Sequence, residues 1–173
     1  MIEIRTRAEV DRYLSLIDAS ANRTLEQVMR HTGSGLELLK ALKFDQAGFH
    51  PVEDRPLNAI EQINQTWTYV AALVATSKLL ELHPDAEGFR IAPGAHMSLP
   101  LDIMSIRPGL VGAETFAATH PRSNNKLNKD LIKLEAACEA HRYVFMMCPG
   151  LAPGRHERFE RGGVQVWAVE PPT

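Results

Sequence analysis

MSLPLDIMSIRPGLVGAETFAATHPRSNNKLNKDLIK, residues 97–133, holds two apolar runs on either side of Pro108-Gly109, and each run carries one carboxylate, Asp102 and Glu114. Val, Ile, Leu and Phe at successive positions mark strands buried between two layers rather than strands with a wet face. A carboxylate in such a strand costs on the order of several kcal/mol unless a cation, a donor or a proton attends it. Two of them in neighbouring strands repel each other unless positive charge sits between. A divalent ion meets that need, because Mg²⁺ takes carboxylate oxygens and water together. Asn125 to His141 then reads as a helix, with Leu127, Leu131, Leu134 and Cys138 as its core face. Lys126, Lys129 and Lys133 share another face. They are either a solvated stripe, steadied by a Lys126–Asp130 contact, or cations held over the strand ends beside Asp102 and Glu114.

Outward from this stretch the pattern is regular. Upstream, Leu57 to about His83 is a long helix opened by Pro56 and stopped by Pro84. Its apolar face is Ile60, Ile63, Trp67, Val70, Ala71 and Val74. Phe89 to Ala92, Ser98 to Ile106 and Val111 to Thr119 are three strands, with His96 at the entrance to the second. Downstream, Tyr143 to Cys148 is a buried strand that a right-handed crossover makes parallel to the third. Leu151 to Gly163 is a basic loop with Arg155, His156, Arg158 and Arg161, broken by Glu157 and Glu160, and Val164 to Val169 is a last strand.

The first 56 residues read as a helical segment packed on the core formed by residues 57–173. Ile2 and Ile4 make an edge strand or a tail. Thr6 caps a helix over Arg7 to Ala19, a polar break follows, and Thr24 with Gln27 opens a second. Leu36 to Leu42 is a third. Helix, glycine turn, helix has the outline of a DNA-reading unit, but the second helix offers only Lys40 and Lys43 as cations, so packing is the preferred reading. His50, in the loop before Pro51, reads as solvated.

Asp on one strand, Glu on the next and Lys on the following helix resemble the core of the PD-(D/E)XK nuclease superfamily. The resemblance covers roughly Leu57 to Val169 and rests more on the order of elements than on the short motif. It implies an α/β fold: a restriction-endonuclease-like αβββαβ core, a mixed central sheet flanked by helices, with an added strand and an N-terminal helical segment. It also implies Mg²⁺- or Mn²⁺-dependent hydrolysis of DNA phosphodiesters. Asp102 and Glu114 then hold the metal, and Glu61 stands where some members offer a third, helix-borne carboxylate. As residues alone go, Glu61 reads as a helix-start acid favoured by the macrodipole. Phe116 stands two residues after Glu114, where the family expects its lysine, so the resemblance gives that task to Lys126 or Lys129. It gives contacts with the nucleic-acid backbone to His120, Arg122 and Lys133. The competing function is the same fold without chemistry: a module that binds nucleic acid or a protein, with Phe116 as the mark of a lost site.

Composition sets the remaining bounds. A chain of 173 residues with 45% hydrophobic and 23% charged residues suits one domain with a real core. A net charge of −2 leaves any nucleic-acid surface to local clusters. Cys138 and Cys148 read as buried reduced thiols, and with no signal peptide and no spanning segment the expectation is a cytoplasmic protein off the membrane. A homodimer is expected if both strands of a duplex are cut.

One geometric condition decides whether the two carboxylates can meet. Across an antiparallel pair, shared faces depend on the parity of the connection. A two-residue Pro108-Gly109 turn would put Asp102 and Glu114 on opposite faces. The expectation is therefore a three-residue loop, or a bulge at Gly112, between Arg107 and Ala113.

Overall fold

The computed structural model describes residues 1–94 and 98–172, so His96 lies outside the described residues. Along the chain run β1 (Ile2–Ile4), α1 (Arg7–Met29), α2 (Gly35–Phe44), β2 (Gly48–Phe49), β3 (Pro56–Leu57) and α3 (Ala59–Leu82). After them come β4 (Phe89–Ile91), β5 (Ile103–Ser105), β6 (Val111–Ala117), α4 (Lys126–Glu135), β7 (His141–Met147), β8 (Gly154–Arg155) and β9 (Val164–Ala168). Seven strands form one mixed sheet in the order β1-β4-β5-β6-β7-β9-β8. The meander from β1 through β6 is antiparallel, whereas β6, β7 and β9 are parallel, as the helical crossover through α4 requires.

Alternation along the strands sorts the core into two layers. Val111, Ala113, Tyr143 and Phe145 face one way, against Val70, Leu73 and Leu79 of α3 and Val10 and Ile17 of α1. Phe116, Val144, Met146 and Val166 face the other, against Leu131 and Leu134 of α4. Glu114 has the parity of Phe116 and therefore looks toward α4. Among the described residues no helix is long and apolar enough to cross a membrane.

Several boundaries differ from the sequence reading. The polar stretch expected to break the first helix lies inside α1, which runs unbroken for 23 residues because no glycine or proline interrupts it. Thr6 does cap α1, with the reciprocal Glu9 bond of a capping box. Thr24 is interior, and its hydroxyl meets Gln62 instead. Pro56 sits in β3, and the cap of α3 is Asn58, whose Oδ1 accepts from the Glu61 N–H at 2.8 Å. Ile60, Ile63 and Trp67 are exposed, contrary to the expected core stripe. At this end of α3 the buried side is polar: Gln62 accepts from the Phe49 N–H at 3.0 Å and donates to the Ser20 carbonyl at 3.1 Å. That anchoring rotates the apolar stripe outward. His50 is 3% exposed rather than solvated, and its Nδ1 accepts from the N–H groups of Val52 and Glu53 at 3.2 and 2.9 Å. α4 ends at Glu135, so Cys138 falls after it and is exposed, while Cys148 is buried.

Candidate functional site

β5 and β6 pair Ile103 with Ala113 and Met104 with Gly112. Asp102, the residue just before β5, comes beside Glu114 through side-chain contacts. The parity is odd, as it has to be, but the connection is neither a three-residue loop nor a bulge. Five residues, 106–110, bridge Ser105 and Val111, and the Ser105 hydroxyl closes the bend. It donates to the Arg107 carbonyl at 2.6 Å and accepts from the Val111 N–H at 3.0 Å. Gly112 makes no bulge. A Cβ there would collide with Leu101 Cδ1, so the missing side chain makes room for the residue that leads into Asp102.

Ladder pairing stops at Ile103, and side chains take over. Asp102 Oδ2 accepts from the Thr115 N–H at 2.9 Å and from its hydroxyl at 3.2 Å. The Asp102 N–H in turn points at Glu114 Oε1, 3.3 Å away. Glu114 is only 2% exposed, and α4 supplies its counter-charge. Lys133 Nζ donates to Glu114 Oε1 at 2.7 Å, and Lys126 Nζ lies 3.9 Å from Oε2. Lys126 also binds Asp130 Oδ1 at 2.6 Å. Positions 126, 130 and 133 fall on one flank of α4 through helical spacing, beside the Leu127–Leu131–Leu134 core face.

The charges in this cluster shape one another. Burial, then repulsion from Glu114, pushes the Asp102 carboxyl above the usual aspartate range against the pull of Thr115 and Lys126. Burial pushes Asp130 up to about 6, although its bond to Lys126 opposes the change. For Lys126, burial works against the charge, but the Asp130 bond and the charges of Asp130, Asp102 and Glu114 outweigh it, and its ammonium holds its proton above the ordinary lysine range. Asp130 Oδ2 is buried with no hydrogen-bond partner among the described residues.

Of the residues expected at the site, Asp102, Glu114, Lys126 and Lys133 are brought together. Lys133, expected to matter least to chemistry, is the closest cation to Glu114. Lys129 is exposed on another side of α4 and makes no ion pair among the described residues. His120 and Arg122 are exposed in the loop before α4. Glu61 is exposed on the first turn of α3, the helix covering the opposite face of the sheet, and no hydrogen bond or ion pair joins it to Asp102 or Glu114 among the described residues. Asp130 and Thr115 are the members that sequence reasoning missed. Asp130 was legible as a partner of Lys126, but not as a third buried acid.

Phe116 also has a physical account. It is 6% exposed and packs among Leu131, Val144 and Met146. A lysine at that position would bury its ammonium in an apolar layer, whereas α4 brings lysines to Glu114 from the side.

Asp102 and Glu114 are the residues that could hold a hard divalent ion of the open kind. Mg²⁺ is often held by one or two carboxylates, with water and substrate phosphate completing its shell. Asp102 Oδ1 takes no hydrogen bond among the described residues, while Oδ2 is held by Thr115. No group of three or more His, Cys, Asp or Glu side chains converges as a closed metal cage among the described residues. A cleft of about 720 Å³ lies elsewhere, between Trp67 and Thr68 of α3 and the ends of β6, β7 and β9. Its lining holds a single ionisable acid, Glu170, so the acid–lysine cluster is the better candidate for chemistry. No family model matches this chain, and no curated protein or solved structure matches it. The class that fold and site define is a mixed α/β domain with an acid–lysine cluster at the edge between an antiparallel meander and a parallel half-sheet.

Proposed function

We propose that this protein hydrolyses DNA phosphodiesters with Mg²⁺ or Mn²⁺, on a restriction-endonuclease-like core formed by α3, β4–β6, α4 and β7. One observation carries the reading: Asp102, just before β5, lies beside Glu114 of β6, and two lysines from the next helix reach the same carboxylate. Asp102 and Glu114 would hold the ion, which when bound supplies an activated water and neutralises phosphate charge. Lys126 and Lys133 stand where negative charge develops on a phosphate seated against that pair. Asp130 anchors Lys126 and keeps its ammonium directed at the cluster. Thr115 holds one oxygen of Asp102, which fixes the other. Cutting both strands of a duplex would pair two copies of the chain.

The test is plasmid nicking with Mg²⁺ or Mn²⁺ against an Asp102→Ala control. Wild-type cleavage that the variant lacks supports the reading, and no cleavage with either ion rejects it. A second reading keeps the fold as a binding module for nucleic acid or a protein. It draws on the closure of the network, because Glu114 already has both oxygens near ammonium groups. Under that reading the same variants change stability but reveal no hydrolysis in the wild type.

A further inference from the structure

On the flank of α4 away from Glu114 there is a second cleft, of about 340 Å³, between the β6–α4 loop and the segment after β8. Arg122 contributes from the loop, Asn125 and Asn128 from the start of α4, and Arg158, Phe159 and Arg161 from beyond β8. Its charges divide into two kinds. Arg161 is committed to the wall, donating to Glu135 Oε1 at 2.7 Å and to Asn128 Oδ1 at 2.9 Å. Glu160, the one acid in the lining, is neutralised by Arg155, which donates to both its oxygens at 2.7 and 2.8 Å. Arg122 and Arg158 have no acidic partner among the described residues, and both are exposed. The Arg158 guanidinium lies 4.7 Å from the centre of the Phe159 ring, which supports it without neutralising it.

Two unneutralised guanidiniums facing one groove suit an anion with several oxygens, because arginine presents a planar fork to phosphate. Between this groove and the carboxylates, Asn124 and Asn125 both take the left-handed conformation, at φ 53° and 55°, which turns the chain into α4, where the Lys126 N–H donates back to the Ser123 carbonyl. The α4 cylinder, about 10 Å across, separates the cleft from Lys126. Even at one phosphate per ~3.4 Å of helix axis, the two sites lie at most about three phosphates apart.

We propose that the Arg122–Arg158 cleft holds the phosphodiester backbone of a nucleic-acid strand a few nucleotides from the Asp102–Glu114 pair, with the strand crossing the start of α4. The placement of the scissile bond rests on the proposed nuclease function, but backbone binding in the cleft is measurable without cleavage. The probes are fluorescently labelled single-stranded and duplex DNA oligonucleotides, titrated in EDTA with the Asp102→Ala protein so that nothing is cut. Inorganic phosphate serves as the competitor that separates a strand-binding groove from a simple anion site. Arg122→Glu combined with Arg158→Glu should weaken binding at least tenfold. The paired change to Gln should weaken it less and flatten the log–log salt dependence by about 1.4–1.8, for two lost phosphate contacts. Lys40→Glu with Lys43→Glu, the same charge change on α2, should have a several-fold smaller effect. If the cleft variants bind no worse than the α2 control, or if millimolar phosphate displaces the oligonucleotide fully, the strand groove is overturned. The nicking assay on the wild type then still decides the nuclease reading by itself. Both arginines are exposed, and unchanged thermal melting of the variants checks that folding is intact.

Discussion

Glu114 sits at 2% exposure with Lys133 on one oxygen and Lys126 beside the other, so its charge is tolerated only because α4 delivers cations. Removing one partner of a buried acceptor costs about 1–3 kcal/mol. Lys133→Met should therefore lose about 1–2 kcal/mol in urea unfolding, the lower end reflecting the part of that lysine open to water. Lys129→Met should stay within about half a kcal/mol, as an exposed position does. In the nicking assay Lys126→Met and Lys133→Met should each lose cleavage at least tenfold while Lys129→Met retains it. Normal cleavage by Lys126→Met, Lys133→Met and their double variant would remove the lysines from the chemistry. Asp130 sets a pH dependence. Its folded carboxyl is held up at about 6, above an unfolded value of about 3.9. Between those values the folded state binds the extra proton, so stability falls as pH rises through the window and levels off above it. Asp102, also raised, acts in the same sense. Asp130→Asn should thus lose ground to wild type as pH drops from 7.5 to 5, by about 1.4 kcal/mol. A stability difference that is flat with pH contradicts the assignment.

At the level of elements, the β5–β6 pair shows what local reading can reach. Two apolar runs, each with one acid, were enough to place two adjacent strands and to require odd parity between them. The length of the connection was not legible, because Pro108-Gly109 looks like a tight turn. The Ser105 hydroxyl, bonding across the bend, selects the five-residue connection instead. Gly112 is the checkpoint of this pairing. A Cβ there meets Leu101 and lies 3.0 Å from Glu139 Cγ, so Gly112→Val should destabilise by about 1–3 kcal/mol, the usual cost of overpacking. It should also weaken cleavage, because Leu101 precedes Asp102. A neutral Gly112→Val variant would mean that Leu101 moves aside without disturbing the acid. α4 illustrates the opposite case: three lysines at helical spacing were visible, and Lys126 reaches Glu114 as expected, but it is joined there by Lys133 and not by Lys129. Periodicity ranks faces, but the small rotation that puts Lys133 rather than Lys129 over Glu114 comes from how Leu127, Leu131 and Leu134 seat on the sheet.

Across the whole molecule, the sheet divides two kinds of surface. The α3 face is closed by α1, while the α4 face carries the buried acids, the lysines and the arginine cleft. If an ion binds Asp102 and Glu114 in the folded state only, saturating Mg²⁺ or Mn²⁺ should raise the melting temperature, since ligand at about 100 times its Kd adds ~2.7 kcal/mol. Glu114→Gln should blunt that response, and a wild-type melt indifferent to both ions would speak against the site. The sequence by itself did not show β8 (Gly154–Arg155) or that Asp102 lies just before β5; it determined the order α3, β4, β5, β6, α4, β7, β9, the parallel crossover, and the meeting of two acids, Asp102 and Glu114, from neighbouring segments. These follow from local periodicity, chain-direction rules and the cost of burying charge, all of which act over a few residues. Only the tertiary structure decided the continuity of α1, the outward turn of Ile60, Ile63 and Trp67, the burial of His50 and Asp130, and the choice of lysines at Glu114. Several of these depend on a partner far along the chain, such as Gln62 meeting Ser20 across 42 residues or Lys133 reaching back 19 to Glu114, and no local pattern encodes which partner arrives.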